Sequence, residues 1–257
     1  MQTSTTVQTT KEDAKRNFLS LSSNPYPGRG FVVGTDDTGQ HIVQVYWIMG
    51  RGENSRNRVF EHKNGFVFTE AADSAKMKDP SLIIYNAMAE TGVLFVVSNG
   101  KQTDTILEMC SVPHYGFMDA MNQYEYEPDA PNFTPRIAAK VSRYPGMQTY
   151  KTEFGMLRKS PWDDSVQRFS YLYEYIPQGF GFCLTTYTGD GNPLPPFRDE
   201  PVLMPLIGNI DELAHTYWNA LNEENRVSLA VKLIRIGSNS PGAVKIINKY
   251  TKVKPAA

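Results

Sequence analysis

Gly30-Phe31-Val32-Val33-Gly34-Thr35-Asp36-Asp37-Thr38-Gly39-Gln40-His41-Ile42-Val43-Gln44-Val45-Tyr46-Trp47 contains two apolar runs separated by turn formers. Asp and Gly in the Thr35–Gln40 segment supply local side-chain hydrogen bonds and tolerance of positive φ. Gly30–Gly34 and His41–Trp47 are therefore expected to pair as an antiparallel hairpin. The pattern recurs downstream. Val59 to Glu70 is aromatic-rich and is interrupted by Lys63-Asn64-Gly65, a hairpin turn signal. Leu82 to Ser98 reads as a third pair, broken at Glu90-Thr91-Gly92. Its second member, Val93-Leu94-Phe95-Val96-Val97, is apolar without alternation, as in a strand buried on both faces. Further strands are expected at Arg136–Val141, Phe169–Ile176 and Gly181–Tyr187. Val227, Leu229, Val231 and Leu233 alternate with Arg226, Ser228 and Lys232, which predicts a strand with one buried face.

Helices come in blocks between these strands. Thr103–Cys110 and Gly116–Tyr126 carry helical spacing. Asn209-Ile210-Asp211-Glu212 has the form of a capping box. It opens a helix whose apolar stripe is Leu213, Ala214, Tyr217, Trp218 and Leu221. Strands and helices do not alternate and there is no GxGxxG, so the pattern is α+β: sheets packed together with helices outside. Residues 1–23 read as an N-terminal extension, flexible or a short helix, with Met1–Thr10 a frayed tail. Residues 24–257 read as a single domain.

The chain has 257 residues, 40% hydrophobic and 21% charged, which is enough to bury a sizeable core. Its 26 basic and 27 acidic side chains leave a net charge of −1. That balance argues against a nucleic-acid partner, which calls for basic excess. No run of about 18 apolar residues suggests a membrane span, and the first residues lack the apolar segment of a secretory signal. Cys110 and Cys183 stand outside any CxxC and are expected to be buried free thiols of a cytoplasmic protein. His41, His62, His114 and His215 lack ligand spacing, so no metal is expected.

Four polar segments could carry chemistry. The first combines Arg29, in the turn Pro27-Gly28-Arg29-Gly30, with Arg51, Arg56 and Arg58, which follow an apolar strand. Guanidinium groups bind phosphate or carboxylate through two parallel hydrogen bonds. The second is Tyr85-Asn86, read as the end of an apolar strand. The third, Ser98-Asn99-Gly100-Lys101-Gln102-Thr103-Asp104, runs from a strand into a helix N-terminus, a natural anion site. The fourth, Tyr126 to Ala139, sets Glu127, Asp129, Asn132, Thr134 and Arg136 among three prolines, and such rigidity suits preorganised polar groups. Candidate acid/base groups are Glu127, Asp129, Asp104 and Tyr85. GxSxG, HExxH and a P-loop are all missing.

At these four segments the chain resembles the archaeal-type IMP cyclohydrolases and their bacterial relatives. The matching pieces are Pro27-Gly28-Arg29-Gly30, Ser55-Arg56-Asn57-Arg58, Tyr85-Asn86, Ser98-Asn99-Gly100 with Thr103-Asp104, and Tyr126-Glu127 through Asn132 and Thr134-Pro135-Arg136-Ile137-Ala138-Ala139. The resemblance covers about residues 25 to 140 most firmly, with Thr185-Thr186-Tyr187 a further anchor. The chain departs from the compact archaeal pattern by its extension of about twenty residues and by added length at Tyr144–Gln167 and at the C-terminus.

The resemblance implies a four-layer αββα sandwich like that of the N-terminal-nucleophile hydrolases, without self-processing. It also implies ring closure of 5-formamidoimidazole-4-carboxamide ribotide to IMP with loss of water. On that reading Tyr85, Glu127 and Arg29 are catalytic. Arg56, Asn57, Arg58, Asn86, Asn99, Asp104, Asn132 and Arg136 bind substrate, with Arg29 and Arg58 stabilising charge, one or both of them at the substrate phosphate. No cofactor is called for, and a homo-oligomer is the expected assembly. Two readings stand beside it: an amide or nucleotide hydrolase of the same fold class, and a non-catalytic purine-nucleotide-binding protein.

Overall fold

The first hairpin forms as β1 (Gly30–Thr35) and β2 (His41–Met49), with Gly30 opposite Trp47 and Thr35 opposite Ile42. Asp36 closes the turn: its carboxylate accepts hydrogen bonds from the amides of Gln40 and His41 and from the Thr38 hydroxyl, and pairs with the His41 ring at 2.8 Å. The computed structural model describes residues 4–144 and 150–253.

Two antiparallel sheets are built from these residues. One is a seven-stranded meander in chain order: β3 (Arg58–Lys63), β4 (Phe66–Ala71), β5 (Asn86–Thr91), β6 (Leu94–Ser98), β7 (Arg136–Arg143), β8 (Tyr150–Lys159) and β9 (Val166–Tyr173). Its first turn has Asn64 and Gly65 both at positive φ, as the Asn-Gly signal predicts. The other sheet joins the two ends of the chain. It adds β10 (Phe180–Thr185), β11 (Val202–Pro205), β12 (Arg226–Arg235) and β13 (Ala243–Asn248) to the first hairpin, in the order β11-β10-β1-β2-β12-β13.

The sheets lie face to face over a core that includes Phe31, Tyr46 and Ile48 from one and Phe60, Ile137 and Phe154 from the other. Helices α1 (Ser4–Ser23) and α5 (Ile210–Ala220) cover the outer face of the six-stranded sheet through Leu21, Leu213 and Tyr217, with Tyr217 stacked on Trp47. Helices α3 (Gln102–Cys110) and α4 (Phe117–Met121) cover the other outer face through Ile106, Phe117 and Met121, and the single-turn α2 (Glu53–Arg56) links β2 to β3. A buried side chain of this size contributes about 1.5–3 kcal/mol, so the three cores supply the drive for the layering.

Several expectations need revision. The Thr- and Gln-rich start is helical from Ser4, and α1 is 20 residues long. Ala14 and Leu21 are buried, and that contact with the sheet holds the helix in place. Helix α4 ends at Met121, short of Tyr126. Cys110 is only partly buried, whereas Cys183 is buried. Strand β12 is buried on both faces, because its second face meets the other sheet. Lys232, fully buried there, donates to the Gly65 carbonyl at 2.9 Å and pairs with Glu90 at 2.5 Å, so the opposing sheet supplies its counter-charge. Asn248 also links the layers, exchanging two hydrogen bonds with the backbone of Phe60. Strands β8, β11 and β13 lie outside the segments whose sequence predicts strands. The added length at Tyr144–Gln167 lies partly outside the described residues, and its described part supplies β8 and the start of β9.

Candidate active site

The polar segments meet at one end of the sandwich. Arg29 precedes β1 and Arg58 opens β3. Tyr85 immediately precedes β5, and the loop carrying Glu127 leads into β7. Tyr85-Asn86 thus begins a strand and does not end one. A cleft of about 580 Å³ runs between these elements, and a second cavity of about 330 Å³ adjoins it at Asp79, Leu82 and Glu127. Arg29, Arg58 and Asn132 line the larger cavity. Tyr85 and Arg136 line the smaller one, and Glu127 lines both.

The glycine-arginine turn is required by packing. Gly28 has φ +71°, and a Cβ there would lie 2.2 Å from Thr186 Oγ1 and 2.5 Å from the Tyr187 ring. This close approach lets Thr186 Oγ1 accept from the Arg29 amide and fixes where the guanidinium starts. Arg29 then reaches across to Glu127, donating Nη1 to Oε1 at 2.9 Å and Nη2 to Oε2 at 2.6 Å. Nη1 also donates to the Asn99 carbonyl. Glu127 is 2% exposed and held by its amide's bond to the Thr134 carbonyl. Burial pushes its carboxyl above the ordinary glutamate range, although Arg29 and, at 3.7 Å, Arg136 pull the other way. For Arg29 burial opposes the charge, but Glu127 outweighs it and holds the guanidinium well above the ordinary arginine value.

Arg58 is different. It is 3% exposed and donates only to backbone carbonyls, from Nε to Ser55 at 2.8 Å and from Nη2 to Met49 at 3.2 Å. Among the described residues no carboxylate lies within 4.0 Å of it, and Nη1 makes no hydrogen bond. Burial lowers its pKa, yet a guanidinium remains protonated in proteins. A buried cation without a counter-ion beside open space is what an anionic ligand would complete. The other cations lining the large cavity are already paired: Lys78 with Glu53, and Arg51 with Asp190 and the Gly191 carbonyl. Arg51 also lies over the Tyr26 ring.

Two phenols stand in the same region. Tyr85 OH and Tyr46 OH are 2.8 Å apart, and both side chains are buried. Burial, with Tyr85 beside it, pushes the Tyr46 phenol well above the ordinary tyrosine value. Tyr46 was missed by sequence reasoning, because an aromatic within an apolar strand carries no polar signal. On the far wall, Thr134 is held by Asp129 and its hydroxyl meets Tyr187 OH.

Other expected site residues are placed elsewhere or already committed. Arg56 and Asn57 face a separate groove with Tyr250 and Val253. Arg56 bonds to the Gly50 carbonyl and Asn225, and Asn57 exchanges two hydrogen bonds with the backbone of Asp73. Asn86 and Asp104 bond to each other at 2.7 Å and line neither cavity. Asn99 spends its amide on Pro135, Gln102 and Ile137, fixing the strand ends under the site. Asn132 lines the cleft and accepts from the Leu194 amide. Arg136 donates to Glu125 and Gln102 and lies over the Tyr124 ring.

Fold and cleft together define an α+β sandwich protein whose two sheets share a polar site, with a buried ion pair beside an uncompensated guanidinium. The chain belongs to the IMP cyclohydrolase-like family: the family model described as IMP cyclohydrolase-like protein matches residues 26–239. That span contains every cleft residue named above and leaves out α1 and β13. No curated protein matches the chain significantly.

Proposed function

We propose that this protein is an IMP cyclohydrolase, closing the ring of 5-formamidoimidazole-4-carboxamide ribotide to IMP with loss of water. The observation that carries the reading is Arg58, a buried guanidinium without a counter-ion, in the cleft that also holds the Glu127 carboxylate. Family membership narrows the anion to a purine nucleotide. The layering is read as that of the N-terminal-nucleophile hydrolases, used without self-processing. Residues 24–257 are read as the functional unit, with α1 as an added cover.

In the reaction the carboxamide nitrogen attacks the formyl carbon of the same molecule. Its lone pair is delocalised, so holding the two groups close and aligned supplies much of the rate. Arg58 takes the phosphate. Arg29 serves the carboxylate: its two hydrogen bonds to Glu127 occupy one site on each oxygen and fix the group in place. A carboxylate has about four acceptor sites, so Glu127 can still receive the proton released by the attacking nitrogen. Its raised pKa suits a general base. Charge develops on the formyl oxygen, where a donor matters most, and Tyr85 supplies that donor. The oxygen leaves as water after taking up two protons: the one Glu127 has carried and the one lost from the formamide nitrogen as the C–N double bond forms.

The test is IMP formation followed by absorbance with purified protein. The wild type should turn over, with kcat in Glu127→Gln and Tyr85→Phe lower by about 10²-fold or more, the range for lost general-base or oxyanion donors. Near-normal rates in both variants would exclude the assigned roles. Binding of IMP without turnover would favour a nucleotide-binding protein.

A further inference from the structure

The phenol pair fixes a direction that neither residue could set alone. Tyr46 is fully buried on β2, between the two sheets, with its ring packed against Phe60. Its hydroxyl has a single hydrogen-bond partner among the described residues, Tyr85 OH at 2.8 Å. A phenol carries one proton and accepts through its oxygen, so one of the two must donate. If Tyr85 donated to Tyr46, the Tyr46 proton would be left in the core without an acceptor, a costly arrangement for a buried donor. If Tyr46 donates to Tyr85, the hydrogen of the fully buried phenol is satisfied. The Tyr85 proton then turns to the smaller cavity that Tyr85 lines with Glu127 and Arg136.

We infer that Tyr46 is a positioning residue that holds Tyr85 as a hydrogen-bond donor toward the ligand. The inference rests on the cyclohydrolase reading for what Tyr85 donates to, and on the burial of Tyr46 alone for the direction. Because Tyr46 belongs to one sheet and Tyr85 leads into a strand of the other, the polarity of the donor is set across the sandwich. A hydroxyl accepting one hydrogen bond is also a better donor in the next, so the arrangement strengthens Tyr85 at a developing oxyanion.

Two measurements on Tyr46→Phe test this. The first needs no activity: with 13Cζ-labelled tyrosine, the Tyr85 resonance of the intact protein is assigned by its loss in Tyr85→Phe and compared at one neutral pH. Removing the Tyr46 donor should shift it. A Tyr85 resonance at its wild-type position in a folded Tyr46→Phe protein would overturn the inference, whatever the protein catalyses. The second is kinetic. Tyr46→Phe should lower kcat about tenfold or more with KM within about threefold, the pattern of an interaction made in the transition state. The same change in a Tyr85→Phe background should cost less than about threefold, since positioning has then lost its object. An equal loss in both backgrounds would make Tyr46 merely structural and refute the proposal. Absence of turnover in the wild type would refute the function reading while leaving the spectroscopic result to decide this one.

Discussion

Arg58→Met separates a ligand-binding cation from a structural one. In the free protein Arg58 donates two hydrogen bonds to backbone carbonyls and has no carboxylate partner. Losing those two bonds from a charged donor costs about 1.5–3 kcal/mol each. Relief of a buried, unpaired charge returns several kcal/mol in the opposite direction. The net change in the stability of the free protein should therefore stay within about 2 kcal/mol, or roughly 4–8 °C in Tm at this chain length. Binding should respond far more strongly. Two charge-assisted hydrogen bonds to a phosphate are worth about 1.5–3 kcal/mol each, so at least about 3 kcal/mol is lost, roughly 10²-fold in Kd.

Calorimetry with IMP and with inosine, which lacks the phosphate, isolates that loss. The variant should bind IMP about 10²-fold more weakly than the wild type and inosine equally well. Thermal shift gives an independent reading. IMP at one hundred times the wild-type Kd should stabilise the wild type by about 2.7 kcal/mol. In the variant the same concentration would equal Kd and contribute only about 0.4 kcal/mol. Equal weakening toward IMP and inosine, or an IMP affinity within about threefold of the wild type, would show that Arg58 does not hold the phosphate.

Two further outcomes follow from the geometry. Gly28→Ala places a Cβ at φ +71°, 2.2 Å from Thr186 Oγ1. It should cost about 2–4 kcal/mol from backbone strain and overpacking together, and raise the cyclisation KM or lower kcat by displacing Arg29; denaturant midpoints and steady-state rates check both. At Asp36 burial opposes ionisation, but hydrogen bonds from Thr38 and His41 prevail and hold the carboxyl below the ordinary aspartate range. A lowered folded-state pKa stabilises the fold above the unfolded value of about 3.9 and is lost as pH falls through the folded one. The wild type should therefore be more stable than Asp36→Asn near pH 6, with the gap in urea midpoint narrowing below about pH 4; a gap that does not change with pH would rule out this linkage.

Local chemistry made much of this protein legible. The Asn64-Gly65 turn and the Asn209–Glu212 capping box depend on residues within four positions of one another, and both form as read. The loop from Glu127 to Arg136 was recognisable because polar groups stiffened by prolines are unusual. What failed was anything decided by the partner layer. Lys232 looks like a solvent-facing residue until Glu90 and Gly65 of the other sheet appear above it. Tyr46 looks like plain core until Tyr85 meets it. Arg56, Asn57, Asn86 and Asp104 share motifs with cleft residues, but side chains next to one another along a strand or turn point in different directions. Asn57 and Arg58 are adjacent in the chain and line different cavities.

The seven-stranded meander is one continuous piece of chain, from Arg58 to Tyr173, whereas the six-stranded sheet is assembled from the two ends. The piece contains Arg58, Tyr85, Glu127 and Arg136 but neither Arg29 nor Tyr46. Cut out alone, it would hold a carboxylate without its guanidinium and a phenol without its donor. The cleft therefore exists only once the first and last thirds of the chain have come together around the middle, so that its presence is itself a report that the two sheets are assembled.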